Sequence, residues 1–270
     1  MTSSGAAPGR SRRGRRAATA LAGALLACAA AQQQRLSRHD DFTVDCRSPE
    51  ETNDWFTARC EGGAYRWTVT RSPVHVREDL GLSAGTVTFE VGASVAGGPS
   101  AVPGNTAYGI GCLTALGSPL SPGRMRRGYL AMVRTDGGWG IVRMDFDTLQ
   151  GRDRWVPLAG SNQPGAIPEL LPSNRLAITC SRAAASTVVR LDVNGREVKT
   201  VVDGGFDHLG PPDAFYGTYL WALMVPGEIA FEHLSARFPD PLGPVVPAAR
   251  EARPEMLYVP GPSTGAQKAP

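Results

Sequence analysis

The sequence predicts an all-β fold: a two-sheet antiparallel β-sandwich between disordered termini. Three observations carry this. Apolar residues recur at every second position in run after run from residue 42 to 238. Tight-turn dipeptides, Asp136-Gly137 and Asn194-Gly195, stand between such runs. No stretch has the three-to-four-residue apolar spacing of an amphipathic helix, and the 32 glycines and 22 prolines of the 270-residue chain favour frequent turns.

In chain order, residues 65–70 form a short strand. Residues 86–95 alternate, with Val87, Phe89 and Val91 on one side and Thr88 and Glu90 on the other. Residues 106–114 are apolar and carry Cys112. Residues 128–135 and 139–144 flank Asp136-Gly137, a strong hairpin signal. Residues 175–181 pair with 187–193, and Asn194-Gly195 turns that strand back into 196–202. Residues 215–225 and 228–238 flank Pro226-Gly227. Roughly ten strands at this spacing imply two packed antiparallel sheets, and a single domain of about 200 residues is ordinary for such a sandwich. Residues 96–105, 117–127 and 203–213, rich in Gly and Pro, read as loops.

The N-terminus reads as an address. Arg10, Arg12, Arg13, Arg15 and Arg16 precede a run of about 15 small and apolar residues, 17–31, the layout of a secretory signal and too short for a spanning helix. Leu25-Leu26-Ala27-Cys28 resembles a bacterial lipobox, in which Cys28 is lipidated and becomes the mature first residue. Cleavage after Ala29-Ala30-Ala31 is the alternative. The chain thus divides into a signal at 1–28, a flexible tether at 29–40, a sandwich at 41–239 and a Pro/Ala-rich disordered tail at 240–270.

Cysteine usage fits export. Of Cys28, Cys46, Cys60, Cys112 and Cys180, a lipidated Cys28 leaves four, which can form two bridges in an oxidising compartment by any of three connectivities. Cys46–Cys60 is the short-loop choice and leaves Cys112–Cys180; four buried thiols are the alternative. Zinc would need closely spaced ligand pairs, which these cysteines lack.

The order of the strand sequences resembles a laminin G-like, concanavalin A-like sandwich (jelly roll) of bacterial secreted or surface lipoproteins. The carriers are residues 108–112 (Tyr-Gly-Ile-Gly-Cys), 129–133 (Tyr-Leu-Ala-Met-Val), 139–143 (Trp-Gly-Ile-Val-Arg), 174–180 (Asn-Arg-Leu-Ala-Ile-Thr-Cys), 191–195 (Leu-Asp-Val-Asn-Gly) and 227–234 (Gly-Glu-Ile-Ala-Phe-Glu-His-Leu). The resemblance implies that Cys112 and Cys180 pair across neighbouring strands. It also implies kinship with sugar-binding lectins and glycan hydrolases. The chain lacks the Glu-x-Asp-x-x-Glu strand of the glycosidase branch and has Ser181 where a Gly usually follows the second cysteine.

These readings point to an exported surface binding module for a glycan, a cell-envelope polymer or a surface protein, rather than to an enzyme. Membrane contact would come only through the lipid anchor. No cofactor or metal is expected, and the absence of a basic patch outside residues 10–38 argues against nucleic acid. Candidate ligand residues are Tyr129, Arg134, Trp139, Arg143 and Asp145, grouped on one hairpin and usable if that face is open. A secreted glycan hydrolase is the second reading, with Asp145 and Asp147 as its carboxylates, because residues two apart on a strand share a face. A purely structural envelope lipoprotein is the third. The four histidines, His39, His75, His208 and His233, show no metal-ligand spacing; His39 falls in the tether, His233 reads as structural, and His208, beside Asp207 in a Gly-rich loop, is the one histidine to mutate for activity.

Overall fold

The structure, a computed structural model, describes residues 37–40, 42, 48, 50–115, 126–147, 152–168, 170–204, 214–239 and 241–244. In chain order the strands are β1 (Ser37–Asp40), β2 (Glu51–Thr52), β3 (Phe56–Glu61), β4 (Ala64–Val69), β5 (Val74–Ala84), β6 (Thr86–Val95), β7 (Thr106–Ala115) and β8 (Arg126–Arg134). They continue with β9 (Trp139–Asp147), β10 (Arg152–Ser161), β11 (Ser173–Ala183), β12 (Ser186–Val193), β13 (Arg196–Asp203), β14 (Ala214–Met224), β15 (Gly227–Arg237) and β16 (Pro241–Pro244). A single 3-10 turn, Pro99–Ala101, is the only helical element among the described residues.

These strands build two antiparallel sheets. The first has nine strands in the order β13-β12-β11-β6-β15-β4-β3-β2, with β1 also paired to β15. The second has seven, in the order β10-β9-β8-β7-β14-β5-β16. Alternation sets which side chains meet between them. Val87, Phe89 and Val91 of β6 join Leu176 and Ile178 of β11, Trp67 of β4 and Phe231 of β15 in the main core, against Tyr108 and Ile110 of β7, Ala131 of β8 and Ile141 of β9. The two hairpin dipeptides behave as expected: Gly137 has φ 91°, and Asn194 and Gly195 have φ 52° and 77°, a pair of left-handed residues that matches the twist of the strands they join.

All ten expected strands are present, and six more accompany them. The last four residues of the expected tether are β1, and β16 lies within the expected tail. The longest additions are β5 and β10. In β5, Arg77, Glu78 and Asp79 interrupt the apolar pattern. In β10, Pro157 and Gly160 read as breakers; the strand tolerates them because it is the sheet's edge, and the register slips between Pro157 and Ala159.

Cys112 of β7 and Cys180 of β11 are disulfide-bonded. Their strands belong to different sheets, so the bridge crosses the core between the layers. The expected Cys112–Cys180 pairing is thus present, between strands that neighbour each other across the two layers, both residues sitting at inward positions. Cys60 is also disulfide-bonded. Cys46, its expected partner, lies outside the described residues, as do Cys28, His208 and the expected signal.

Candidate functional site

Of the five residues singled out on the β8–β9 hairpin, four turn toward the main core and the fifth, Arg134, stands at the turn. Tyr129, Arg143 and Asp145 occupy inward positions, the side that also carries Ala131 and Ile141, and they are buried. Trp139 also packs toward the main core, but it pairs with Val133 while Tyr129 pairs with Arg143, so the two aromatics sit at opposite ends of the hairpin. Arg134 is at the turn, where it binds both carboxylate oxygens of Asp136. The face that would have served as an open binding surface is the closed one.

What the hairpin builds there is a charged knot. Arg127 lies opposite Asp145 and Tyr129 opposite Arg143 across β8 and β9. The Arg127 Nε donates to Asp145 Oδ1 at 2.8 Å, and the Arg143 Nε to Asp145 Oδ2 at 3.2 Å. From the facing sheet, Asp203 at the end of β13 accepts from Arg143 Nη1 at 3.0 and 3.1 Å and from the Tyr129 hydroxyl at 2.9 Å. Two guanidiniums and two carboxylates balance in charge, which is the condition for keeping ions out of water. Burial sets the first resistance to charge on Arg143, but the hydrogen bond to Asp203 and the charges of Asp145 and Asp203 outweigh it and hold its pKa above the ordinary value. Burial also pushes the Tyr129 phenol well above its ordinary range. Asp145 therefore has both oxygens committed to arginine on the inside of the sandwich, away from any outer groove. The Asp147 side chain lies outside the described residues.

The opposite face of the same sheet carries a second apolar layer. Leu113 of β7, Leu130 of β8, Met144 of β9, and Tyr216, Tyr219 and Trp221 of β14 are buried there, with Met132, Val142, Trp155 and Leu223 packed against them. Glycines make the layer possible. A Cβ on Gly111 would come within 2.2 Å of the Tyr219 ring, and one on Gly109 would strike the Ala131 carbonyl oxygen and Leu130. With no Cβ at 111, the Tyr219 ring lies flat across β7 and its hydroxyl reaches the Met144 Sδ at 3.1 Å. Burial drives the Tyr219 phenol far above its ordinary pKa, so it remains a neutral donor. Trp155 and Trp221 stand on strands four positions apart in the sheet order, roughly 19 Å on a flat sheet at about 4.8 Å per strand. Their ring centroids are nevertheless 6.2 Å apart. The two indoles therefore lean toward each other across the outer layer, where Trp221 is buried and Trp155 keeps part of its surface in solvent.

Sequence reasoning placed Trp221 in a strand but missed this layer. The signal was present: residues 128–133 are apolar at odd and even positions alike, the mark of a strand covered on both faces.

No family model matches the chain, and no curated protein matches it. Among solved structures, a Bacillus subtilis protein with a galectin-like fold aligns at 10% identity over 76% of this chain and 96% of its own length, with a TM-score of 0.47. The carbohydrate-binding module CBM66 from Bacillus subtilis aligns at 16% identity over 70% of this chain and 99% of its own, with a TM-score of 0.35. A Bacillus licheniformis β-glucanase aligns at 11% identity over 74% of this chain and 97% of its own, with a TM-score of 0.40. Likeness at this level carries nothing about function.

Proposed function

We propose that the chain is an exported surface module, anchored by lipid on Cys28, that binds a carbohydrate or another envelope component on the outer face of the seven-stranded sheet, at the edge strand β10 that carries Trp155. The observation that carries the binding reading is the meeting of Trp155 and Trp221 on that face. Indole faces give flat apolar contact to sugar C–H groups, and Trp155 retains solvent-facing surface for it. Export is supported by the Cys112–Cys180 bridge, because disulfides persist mainly in oxidising compartments. Against a hydrolytic role for Asp145, its carboxylate faces the interior and is held by two arginines.

The test is a glycan and wall-polymer binding screen on the full chain and on Trp155→Ala, with hydrolysis and lyase assays on the same ligands. Binding that falls about tenfold or more in the variant, without turnover, supports the reading. Binding unaffected by Trp155→Ala moves the site elsewhere, and turnover replaces the module with an enzyme. Fatty-acid labelling that disappears in Cys28→Ser supports the anchor; labelling that persists excludes Cys28 as its site.

A further inference from the structure

The fold brings together two histidines that lie 194 positions apart in the sequence. His39 is on β1 and His233 on β15, neighbouring strands of the nine-stranded sheet. Both side chains are exposed, and their rings lie nearly parallel, 6° between planes, with centroids 6.2 Å apart. His233 is held there by an unusual backbone. Its φ is 53°, in the left-handed region that a residue with a side chain enters only at a cost. It sits where the β15–β6 register slips between Glu232 and Ser235. Two residues, His233 and Leu234, there oppose the single residue Val91, the arrangement of a β-bulge, which re-aims a side chain. Leu234 stays in the core while the ring of His233 is turned out toward His39.

We propose that His39 and His233 form a two-imidazole site for a divalent transition-metal ion, with water completing its coordination, that clasps β1 to β15. The separation fits. A metal–nitrogen bond of about 2.1 Å plus about 1.1 Å from nitrogen to ring centre puts each centroid about 3.2 Å from a shared ion, so two rings on one ion stand roughly 5 to 6.4 Å apart. Rotation of two exposed rings about their terminal torsions turns a nitrogen of each toward the common point, and terminal torsions of this kind are soft. Imidazole selects zinc, nickel or copper over magnesium or calcium. Among the described residues no group of three or more His, Cys, Asp or Glu side chains gathers for a metal, so two protein ligands and solvent define the class of site.

The experiment is calorimetric titration of the metal-stripped full chain with zinc and nickel chloride, beside His39→Gln, His233→Asn and the control His75→Gln. Asparagine is chosen at 233 because it tolerates the left-handed backbone. Melting in metal-free buffer checks that each variant folds. The proposal expects binding of one ion that weakens about tenfold or more in each of the first two variants, persists in His75→Gln, and raises the melting temperature of the parent but not of those two. Absence of binding to the parent, or binding that survives both substitutions, leaves the two rings as a stack only and overturns the proposal.

Discussion

Arg143-Met144-Asp145 and Arg190-Leu191-Asp192 place the same two charges at the same spacing on strands of similar length. In β9 the pair is 4% and 5% exposed; in β12 it is 46% and 16% exposed. Both pairs make the same Arg Nε-to-carboxylate contact, at 3.2 and 2.8 Å. The difference lies in parity alone. Arg143 and Asp145 share the side of β9 that faces the other sheet, whereas Arg190 and Asp192 alternate with the core residues Val189 and Leu191. A third pair, Arg134 and Asp136, sits in the hairpin turn between these extremes, 33% and 8% exposed. Spacing brings the ions together; the layer they point into decides what the contact is worth.

The comparison can be broken most directly at Asp203. Asp203→Ala removes the acceptor that Arg143 and Tyr129 share inside the sandwich, and loss of one partner of a buried ion pair costs about 3–5 kcal/mol. Urea unfolding should show it, and a change below about 1 kcal/mol would mean that water reaches the knot. Next in size is a purely steric change on the other face of the same sheet. Gly111→Ala drives a methyl into the Tyr219 ring and should cost about 1–3 kcal/mol, with a shift in tryptophan emission as the outer layer adjusts. Unaltered stability and emission would show that layer to be loose.

Asp136→Asn sharpens the middle case. Burial raises the Asp136 carboxyl, but the Arg134 hydrogen bond, the Gly138 amide and the Arg134 charge together bring it below the usual carboxylate range. A group lowered in the folded state stabilises above its unfolded value and loses that contribution as pH falls through the folded one. The variant should therefore be less stable by about 1 kcal/mol at neutral pH, and the gap should close below about pH 4. A gap independent of pH would assign the effect to the turn rather than to the ion pair. Smallest of all, Arg190→Ala should change stability by no more than about 0.5 kcal/mol and less at high salt; a larger loss would erase the contrast between inner and outer pairs.

Much of the sandwich was legible because burial on one face leaves a period of two. Val87, Phe89 and Val91 announced their strand, and Asp136-Gly137 and Asn194-Gly195 announced their turns. The candidate site was harder to read. Alternation says that Tyr129, Arg143 and Asp145 lie on the same side as Ala131 and Ile141, but charge on a strand ordinarily means solvent, so the side was left open. Only the facing sheet, which delivers Asp203 from 60 positions beyond Arg143, makes an interior position affordable for those ions. The outer aromatic layer depended on Gly109 and Gly111, whose lack of side chains matters only once Leu130 and Tyr219 lie across them. The histidine pair was invisible for the same reason: its members come from opposite ends of the folded chain.

The described chain enters through β1 in one sheet and leaves through β16 in the other, while the Cys112–Cys180 bond ties the sheets together. Tension on the two ends would load the layers against each other, and that bond would carry the load once the hydrogen bonds between strands gave way. The 68-residue separation it closes would stay unextended until reduction, so this bond alone should hold back roughly 240 Å of a single molecule pulled apart while oxidised, at about 3.6 Å per residue.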